Sequence, residues 1–154
     1  MKQRVDFHKT ADATRAMLGV QKIVNESGLE KSLLELVEMR ASQINGCAFC
    51  LDMHSKEARA RGETEQRLYL LDAWTETPLY SDRERAALAW VEAVTRVAES
   101  RVPDDVYEAA RAEFSDQEMV YLTLAIVAIN GWNRLCIAFR IQPGTYQPSI
   151  PQQE

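Results

Sequence analysis

Residues 35–54, ELVEMRASQINGCAFCLDMH, hold two of the chain's three cysteines and one of its two histidines. Cys47, Cys50 and His54 are spaced i, i+3 and i+7. Because residues on an α-helix advance by about 100° each, these three side chains are predicted to lie on one side of a helix. Cys50 and His54 are neighbours one turn apart, where an imidazole can take a thiol proton or stabilise a thiolate. The pattern indicates a dithiol redox site at the start of a helix.

The pair Asn45-Gly46 is a turn signal immediately before Cys47. If a helix begins there, both sulfurs lie near its positive end, which favours a thiolate. We therefore expect Cys50 to titrate below the pKa of a free thiol, about 8.5, with His54 contributing to the shift.

Two other interpretations of the cysteines stay open. A free cysteine is often a small buried hydrophobic residue, and a Cys-x-x-Cys-x-x-x-His cluster can bind zinc. Zinc needs a fourth ligand or an open position, and only Cys136 and His8 remain as thiol or imidazole groups, neither at ligand-like spacing. The redox dithiol is favoured, with no metal or cofactor predicted, and Cys136 is interpreted as a core residue.

The composition is that of one ordinary globular domain. The chain has 154 residues, of which 46% are hydrophobic and 27% charged. A net charge of −5 without a basic run argues against nucleic acid as a partner. The first ten residues lack the apolar core of a signal peptide, and no apolar run reaches the roughly 18 residues of a membrane span. We expect a cytoplasmic protein that does not enter a membrane.

Apolar residues recur at helical spacing along the chain, and the sequence predicts an all-α fold, a compact bundle of six to seven helices. Capping boxes at Ser81/Glu84 and Ser115/Glu118 mark two of the helix starts. The predicted helices cover approximately residues 10–25, 30–44, 47–61, 66–74, 82–97, 103–114 and 115–141. The helical domain is taken as residues 1–142. Residues 143–154 form a Pro- and Gln-rich tail that we expect to be extended or mobile.

The last predicted helix is apolar almost all round between residues 119 and 139. A helix of this kind is buried on most sides. In a chain of this size part of that burial is expected to come from another subunit, so the pattern predicts a homo-oligomer.

Glu35 precedes Cys47 by twelve residues. If the second and third helices fold back as a hairpin, this carboxylate could approach the cysteines. Spacing alone favours a solvated surface glutamate, and Glu38 competes for the same role. His8 is interpreted as a plain surface residue.

Taken together, these residues resemble the alkylhydroperoxidase D-like branch of the carboxymuconolactone decarboxylase superfamily. The likeness covers nearly the whole chain and is carried by Glu35 and by the segments MRASQINGCAFC (39–50), DMH (52–54), ETEQR (63–67), ERAALAW (84–90) and NGWNR (130–134). The resemblance implies an all-α fold and a homo-oligomer. It also implies a thiol-dependent peroxidase that reduces hydroperoxides while its dithiol cycles to a disulfide.

Roles for individual residues follow from the resemblance. Cys50 matches the peroxide-attacking cysteine, Cys47 the resolving cysteine, His54 the relay histidine and Glu35 the carboxylate that starts proton removal. The implied electron donor is a dithiol protein, either dihydrolipoyl or thioredoxin-like. Phe49 is a departure, since members of this branch can carry a histidine just before the second cysteine.

Two alternative functions stay open, and Phe49 favours the first. One is a thiol–disulfide stress-response protein with weak peroxidase activity. The other is a carboxymuconolactone decarboxylase-like protein that binds a small organic acid. The decarboxylase branch does not depend on a Cys-x-x-Cys pair, so the intact pair favours redox chemistry.

Overall fold

The computed structural model describes residues 2–6 and 9–148, and all regular secondary structure in these residues is helical. His8 and residues 149–154, part of the predicted tail, lie outside the described residues. The α-helices are α1 Ala11–Asn25, α2 Lys31–Asn45, α3 Ala48–Ala60, α4 Glu65–Leu70, α5 Asp82–Thr95, α6 Val97–Ser100, α7 Asp104–Glu113 and α8 Asp116–Phe139. A 3₁₀ segment, Leu71–Glu76, continues α4. The all-α prediction is confirmed.

A tight turn between α2 and α3 creates the start of the cysteine helix. Gly46 ends α2 in the left-handed conformation, with φ of 69°, which a residue with a Cβ adopts only under strain. The amide of Cys47 then donates to the Ser42 carbonyl at 3.0 Å. As a result Cys47 is the N-cap of α3 and Cys50 lies in its first turn.

Helix α2 lies at the centre of the bundle and packs against α3, α5 and α8. Its inward side chains, among them Leu33, Leu36, Val37 and Ala41, are at most 3% exposed. Burial of each large aliphatic side chain contributes about 1.5–3 kcal/mol relative to exposure. The hairpin partner of the cysteine helix is therefore anchored in the core.

Helix α8 packs against α1, α2, α3, α5 and α7. An 18-residue stretch of α8 has a mean hydropathy of 1.5, and by length and composition alone it could cross a membrane, although the sequence analysis found no such run. In the fold, 39% of that stretch is buried inside the protein. Packing against five helices identifies α8 as a core helix. Its outer side leaves Val120 and Val127 more than half exposed, so one chain does not cover the whole apolar circumference.

Both predicted capping boxes are present. Ser81 Oγ accepts the Glu84 amide while Glu84 accepts the Ser81 amide, and Ser115 with Glu118 repeats the arrangement at the start of α8. A cap of this type stabilises its helix by about 1 kcal/mol. These two starts were readable from sequence because capping is a local interaction.

The first part of the tail packs along α3. The Gly144 amide donates to Asp52 at 2.9 Å, and Lys56 Nζ donates to the Tyr146 carbonyl at 3.1 Å. The Tyr146 hydroxyl also donates to Glu57. Gly144 and Tyr146 thus attach the first part of the tail, which has no regular secondary structure, to the outer side of the cysteine helix.

Candidate functional site

The α2–α3 turn brings the two predicted redox cysteines into contact. Their Sγ atoms are 2.7 Å apart, both thiols are free, and each side chain is 1% exposed. A disulfide needs about 2.05 Å between the sulfurs. Only a small movement is therefore required to form one, because both residues belong to the same helix start.

A third thiol joins this pair, from a different helix. Cys136 lies near the end of α8, and its sulfur and those of Cys47 and Cys50 all lie within 4.8 Å of one another. Cys136 is part of the buried core, as the sequence analysis expected, and it also contacts the dithiol. The sequence carried no signal for this contact, since it depends on the register of α8 against α3.

The three thiols, called the sulfur cluster below, share one negative charge. Hydrogen bonds from Cys136 and then Cys50 lower the pKa of Cys47 to about 3. Cys136 and Cys47 raise the pKa of Cys50, and Cys47 raises the pKa of Cys136 to about 12. A second thiolate this close to the first would be repelled, and the N-cap position favours the charge on Cys47. This differs from the expectation that Cys50 would be the thiolate of the resting site.

A second buried group lies further along α3. His54 Nδ1 donates to Glu35 Oε2 at 3.0 Å and lies 3.4 Å from Glu38 Oε2. These three residues form the acid–imidazole cluster. The hairpin therefore brings Glu35 to His54, as the resemblance implied, and it also brings Glu38, which the sequence analysis left as a mere competitor. Among the described residues the buried His54 Nε2 has no hydrogen-bond partner.

Burial and charge act against each other in this cluster. Burial raises the pKa of Glu38, and the nearby His54 only partly offsets this. Burial by itself lowers the pKa of His54, but the charge of Glu38 and the hydrogen bond to Glu35 outweigh it, so the pKa is raised. Glu38 and His54 therefore both bind their protons more tightly than they would in water.

Each cluster has donor atoms close enough together to be considered for a metal ion. Zinc binds cysteine as the thiolate, so a three-sulfur site requires three deprotonated thiols. A bound zinc ion deprotonates the thiols that coordinate it, so the raised pKa values of the free Cys50 and Cys136 thiols do not decide between a metal site and a redox site.

A network of asparagine side chains positions the sulfur cluster. Asn45 Nδ2 donates to Asn130 at 3.0 Å and to Asn133 at 2.8 Å, and Asn133 donates to Ser42 at 3.0 Å. The network joins the end of α2 to α8, with Asn133 fully buried one turn before Cys136. Unpaired buried amides are costly, so the network fixes one register of α8. Sequence reasoning noted Asn130 and Asn133 only as part of a resembling segment.

A cavity of about 320 Å³ reaches the acid–imidazole cluster from outside. Glu35 and Arg61 are among its lining residues, and none of the cysteines is. Glu35 therefore connects His54 to this cavity, whereas the three cysteines do not line it. Phe49, the departure from the resembling family, is half-buried against the core and adds no titratable group.

Comparison with known proteins finds matches in the same superfamily that the sequence resembles. The sequence model of the carboxymuconolactone decarboxylase family matches residues 10–93, more than half of the chain. The uncharacterized protein YdfG of Bacillus subtilis is 43% identical over 139 residues, spanning 90% of this chain and 95% of its own length. A region of 46 residues, 30% of this chain and 26% of the relative, is 39% identical to the alkyl hydroperoxide reductase AhpD of Hyphomonas neptunium.

One solved structure is similar to almost the whole of this chain. It belongs to a protein of unknown function from Agrobacterium tumefaciens with a suggested AhpD antioxidant-defence role. The TM-score is 0.91 at 47% identity, covering 94% of this chain and all of the other. The arrangement of helices is thus shared with this relative.

Proposed function

Because the chain belongs to the carboxymuconolactone decarboxylase family, and because its thiols lie at the start of the helix that carries the buried His54 imidazole one turn further on, we propose that it is a thiol-dependent peroxidase. In this proposal it reduces hydroperoxides through a dithiol–disulfide cycle of Cys47 and Cys50. The observation that carries the proposal is the 2.7 Å contact between the two sulfurs, one turn before His54 and its carboxylates.

The first step is the arming of Cys50. Its proton passes to the Cys47 thiolate along the sulfur–sulfur contact, which leaves Cys50 as the thiolate. This thiolate attacks one oxygen of the hydroperoxide, the O–O bond breaks, and the leaving alkoxide takes a proton from the His54 imidazolium. The products are an alcohol and a sulfenic acid on Cys50.

The second step closes the cycle. The Cys47 thiol condenses with the sulfenic acid, forming the disulfide and releasing water. Glu35 returns a proton from solvent to His54, which its position on the cavity supports. A dithiol partner, dihydrolipoyl or thioredoxin-like, then reduces the disulfide by exchange. A cytoplasmic location is part of the proposal, since the cytoplasm keeps such thiols reduced.

A second candidate is a thiol–disulfide exchange protein with weak peroxide turnover. It is favoured by Phe49 in place of a relay histidine and by the burial of both sulfurs, each only 1% exposed. In that case the same disulfide would form, but an oxidised thiol partner would supply the oxidising equivalents.

Peroxide consumption tests the proposal directly. Hydrogen peroxide and cumene hydroperoxide are given to the protein with either dihydrolipoamide or reduced thioredoxin as donor. Turnover with at least one pair is expected, and oxidised protein should carry the disulfide. Disulfide formation by oxidised thioredoxin without peroxide consumption would favour the second candidate.

Assembly into a homo-oligomer is a further part of the proposal, supported by the exposed apolar residues Val120 and Val127 on α8. Sedimentation at micromolar concentration should give a mass well above the 17.5 kDa of one chain. Replacing Val127 with arginine should lower that mass if this side of α8 is the interface. A folded wild-type protein that sediments as a monomer would contradict the assembly.

A further inference from the structure

All three cysteines of this chain converge on one place. Two belong to the start of α3 and the third to the end of α8, yet the three sulfurs lie within 4.8 Å of one another and all three side chains are buried. The proposed function uses only two of these thiols. Cys136 therefore lies within reach of the reactive sulfur without a role in the cycle.

We propose that Cys136 is a third redox-active thiol of the site, a second resolving cysteine for Cys50. The inference rests on the proposed function, because a hydroperoxide supplies the oxidising equivalents. The Cys136 thiol condenses with the sulfenic acid of Cys50; an S–S bond forms, the S–O bond breaks, and the thiol proton leaves with the hydroxyl group as water. The product joins α3 to α8 by a disulfide.

The geometry supports both routes of resolution. Cys47, at 2.7 Å, is the near partner of Cys50, and Cys136 reaches the same sulfur from the opposite helix. The asparagine network holds α8, and with it Cys136, in this register. Two thiols on different helices therefore lie near the Cys50 sulfur, and either can intercept the sulfenic acid before a second peroxide oxidises it irreversibly.

The acidity of the thiols is consistent with this division of roles. Cys47 raises the pKa of Cys136, so Cys136 stays protonated in the resting site and donates to the Cys47 thiolate. Condensation with a sulfenic acid consumes that proton in the water released. A neutral, waiting thiol is the state that a reserve resolving residue needs.

Peptide mapping of the Cys47→Ser variant tests the inference. Serine is a favoured N-cap residue, so α3 should form normally. Trypsin cleaves after Arg40, Lys56, Arg134 and Arg140, which puts Cys50 in peptide 41–56 and Cys136 in peptide 135–140. After treatment with hydrogen peroxide and blocking of free thiols, the variant should yield these two peptides joined, at the summed mass less two hydrogens. On a non-reducing gel the chain should keep its monomer size, which separates an internal link from one between copies.

Controls separate this inference from the proposed function. Adding Cys136→Ala or Cys136→Ser to Cys47→Ser should abolish the joined peptides and move Cys50 to sulfinic and sulfonic acid. Diamide, which oxidises neighbouring thiols without peroxide, should also join the peptides in Cys47→Ser. If diamide fails to join them, Cys136 is out of reach and the inference is wrong.

If peroxide forms the Cys47–Cys50 disulfide in wild type but only sulfinic acid in Cys47→Ser, the inference fails and the proposed function stands. If peroxide oxidises neither protein although diamide joins the peptides, the peroxidase fails and with it the role of Cys136 in resolving a sulfenic acid.

Discussion

The sulfur cluster and the acid–imidazole cluster are two buried groups of three residues, and α3 contributes to both. In the sulfur cluster one negative charge is held at a helix start by two protonated thiols. In the acid–imidazole cluster two carboxylates surround one imidazole, at 3.0 and 3.4 Å from its Nδ1. Cys50 and His54 are one turn apart, so the helix links a group that can exchange electrons to a group that can exchange protons. The difference indicates that electron chemistry and proton supply are separated by one helical turn.

The largest effect should come from removing the attacking sulfur. Cys50→Ser is expected to lose peroxide consumption down to the uncatalysed background, because the other cluster supplies only protons. Ala48→Ser, an exposed substitution in the same turn, serves as the matched control and should retain wild-type turnover. Residual turnover in Cys50→Ser would mean that another sulfur attacks the peroxide.

The next largest effect concerns the location of the resting thiolate. With a pKa of about 3, Cys47 should be ionised at every pH above that value. A free thiol has a pKa of about 8.5, so between these two values it is neutral while Cys47 is a thiolate. Ultraviolet absorbance of the thiolate at pH 5 should therefore report one thiolate per chain. Cys136→Ala removes the main hydrogen-bond donor and should raise the Cys47 pKa, while His54→Ala should leave it nearly unchanged. The opposite result would place control of the thiolate in the acid–imidazole cluster, as the sequence analysis expected.

The two carboxylates of the acid–imidazole cluster should differ in their effect on rate. Glu35→Gln removes the carboxylate that is hydrogen-bonded to His54 and returns its proton, and general acid–base assistance is typically worth about 10²–10⁴-fold, so oxidation of Cys50 should slow at least tenfold. Glu38→Gln should slow it less, because Glu38 lies 3.4 Å from His54 Nδ1 whereas Glu35 lies at 3.0 Å. From sequence alone Glu38→Gln would have been expected to equal wild type.

Stopped-flow oxidation of Cys50 measures both rates. Glu108→Gln, at an exposed position on α7, controls for loss of a surface charge. Equal rates for Glu35→Gln and Glu38→Gln would show that the shorter contact with His54 carries no special role.

The features that the sequence predicted are those that depend on residues close together in the chain. The capping boxes, the Gly46 turn and the one-sided spacing of Cys47, Cys50 and His54 depend on residues within a few positions, and the sequence predicted all of them. The hairpin made the approach of Glu35 conceivable, but the family resemblance was needed to choose it. Cys136 and Cys50 are 86 positions apart in the chain, and they meet only because α8 and α3 pack in one register. No local pattern encodes that register. The charge on Cys47 was missed for the same reason, since its main stabilising donor is Cys136.

The smallest effect is on stability, and it separates the two clusters by pH. His54 and Glu38 both have pKa values raised in the folded protein. A group of this kind contributes stability that is fully present below its unfolded pKa and is lost as the pH rises through its folded pKa. The unfolded values are about 4.3 for Glu and 6.5 for His, so the contribution of these two groups to the free energy of unfolding should fall as the pH rises from about 4.3 and continue to fall above 6.5. The slope for one proton is at most about 1.4 kcal/mol per pH unit.

Glu38→Gln removes one titrating group and the main influence that raises the His54 pKa, so its slope should be smaller in urea unfolding measured across this range. His8→Asn removes the only other histidine and should keep the wild-type slope. The sulfur cluster contributes with the opposite sign, because the lowered pKa of Cys47 gives stability that is present above 8.5 and lost as the pH falls toward 3. Parallel curves for wild type and Glu38→Gln would mean that the acid–imidazole cluster does not hold its protons through folding.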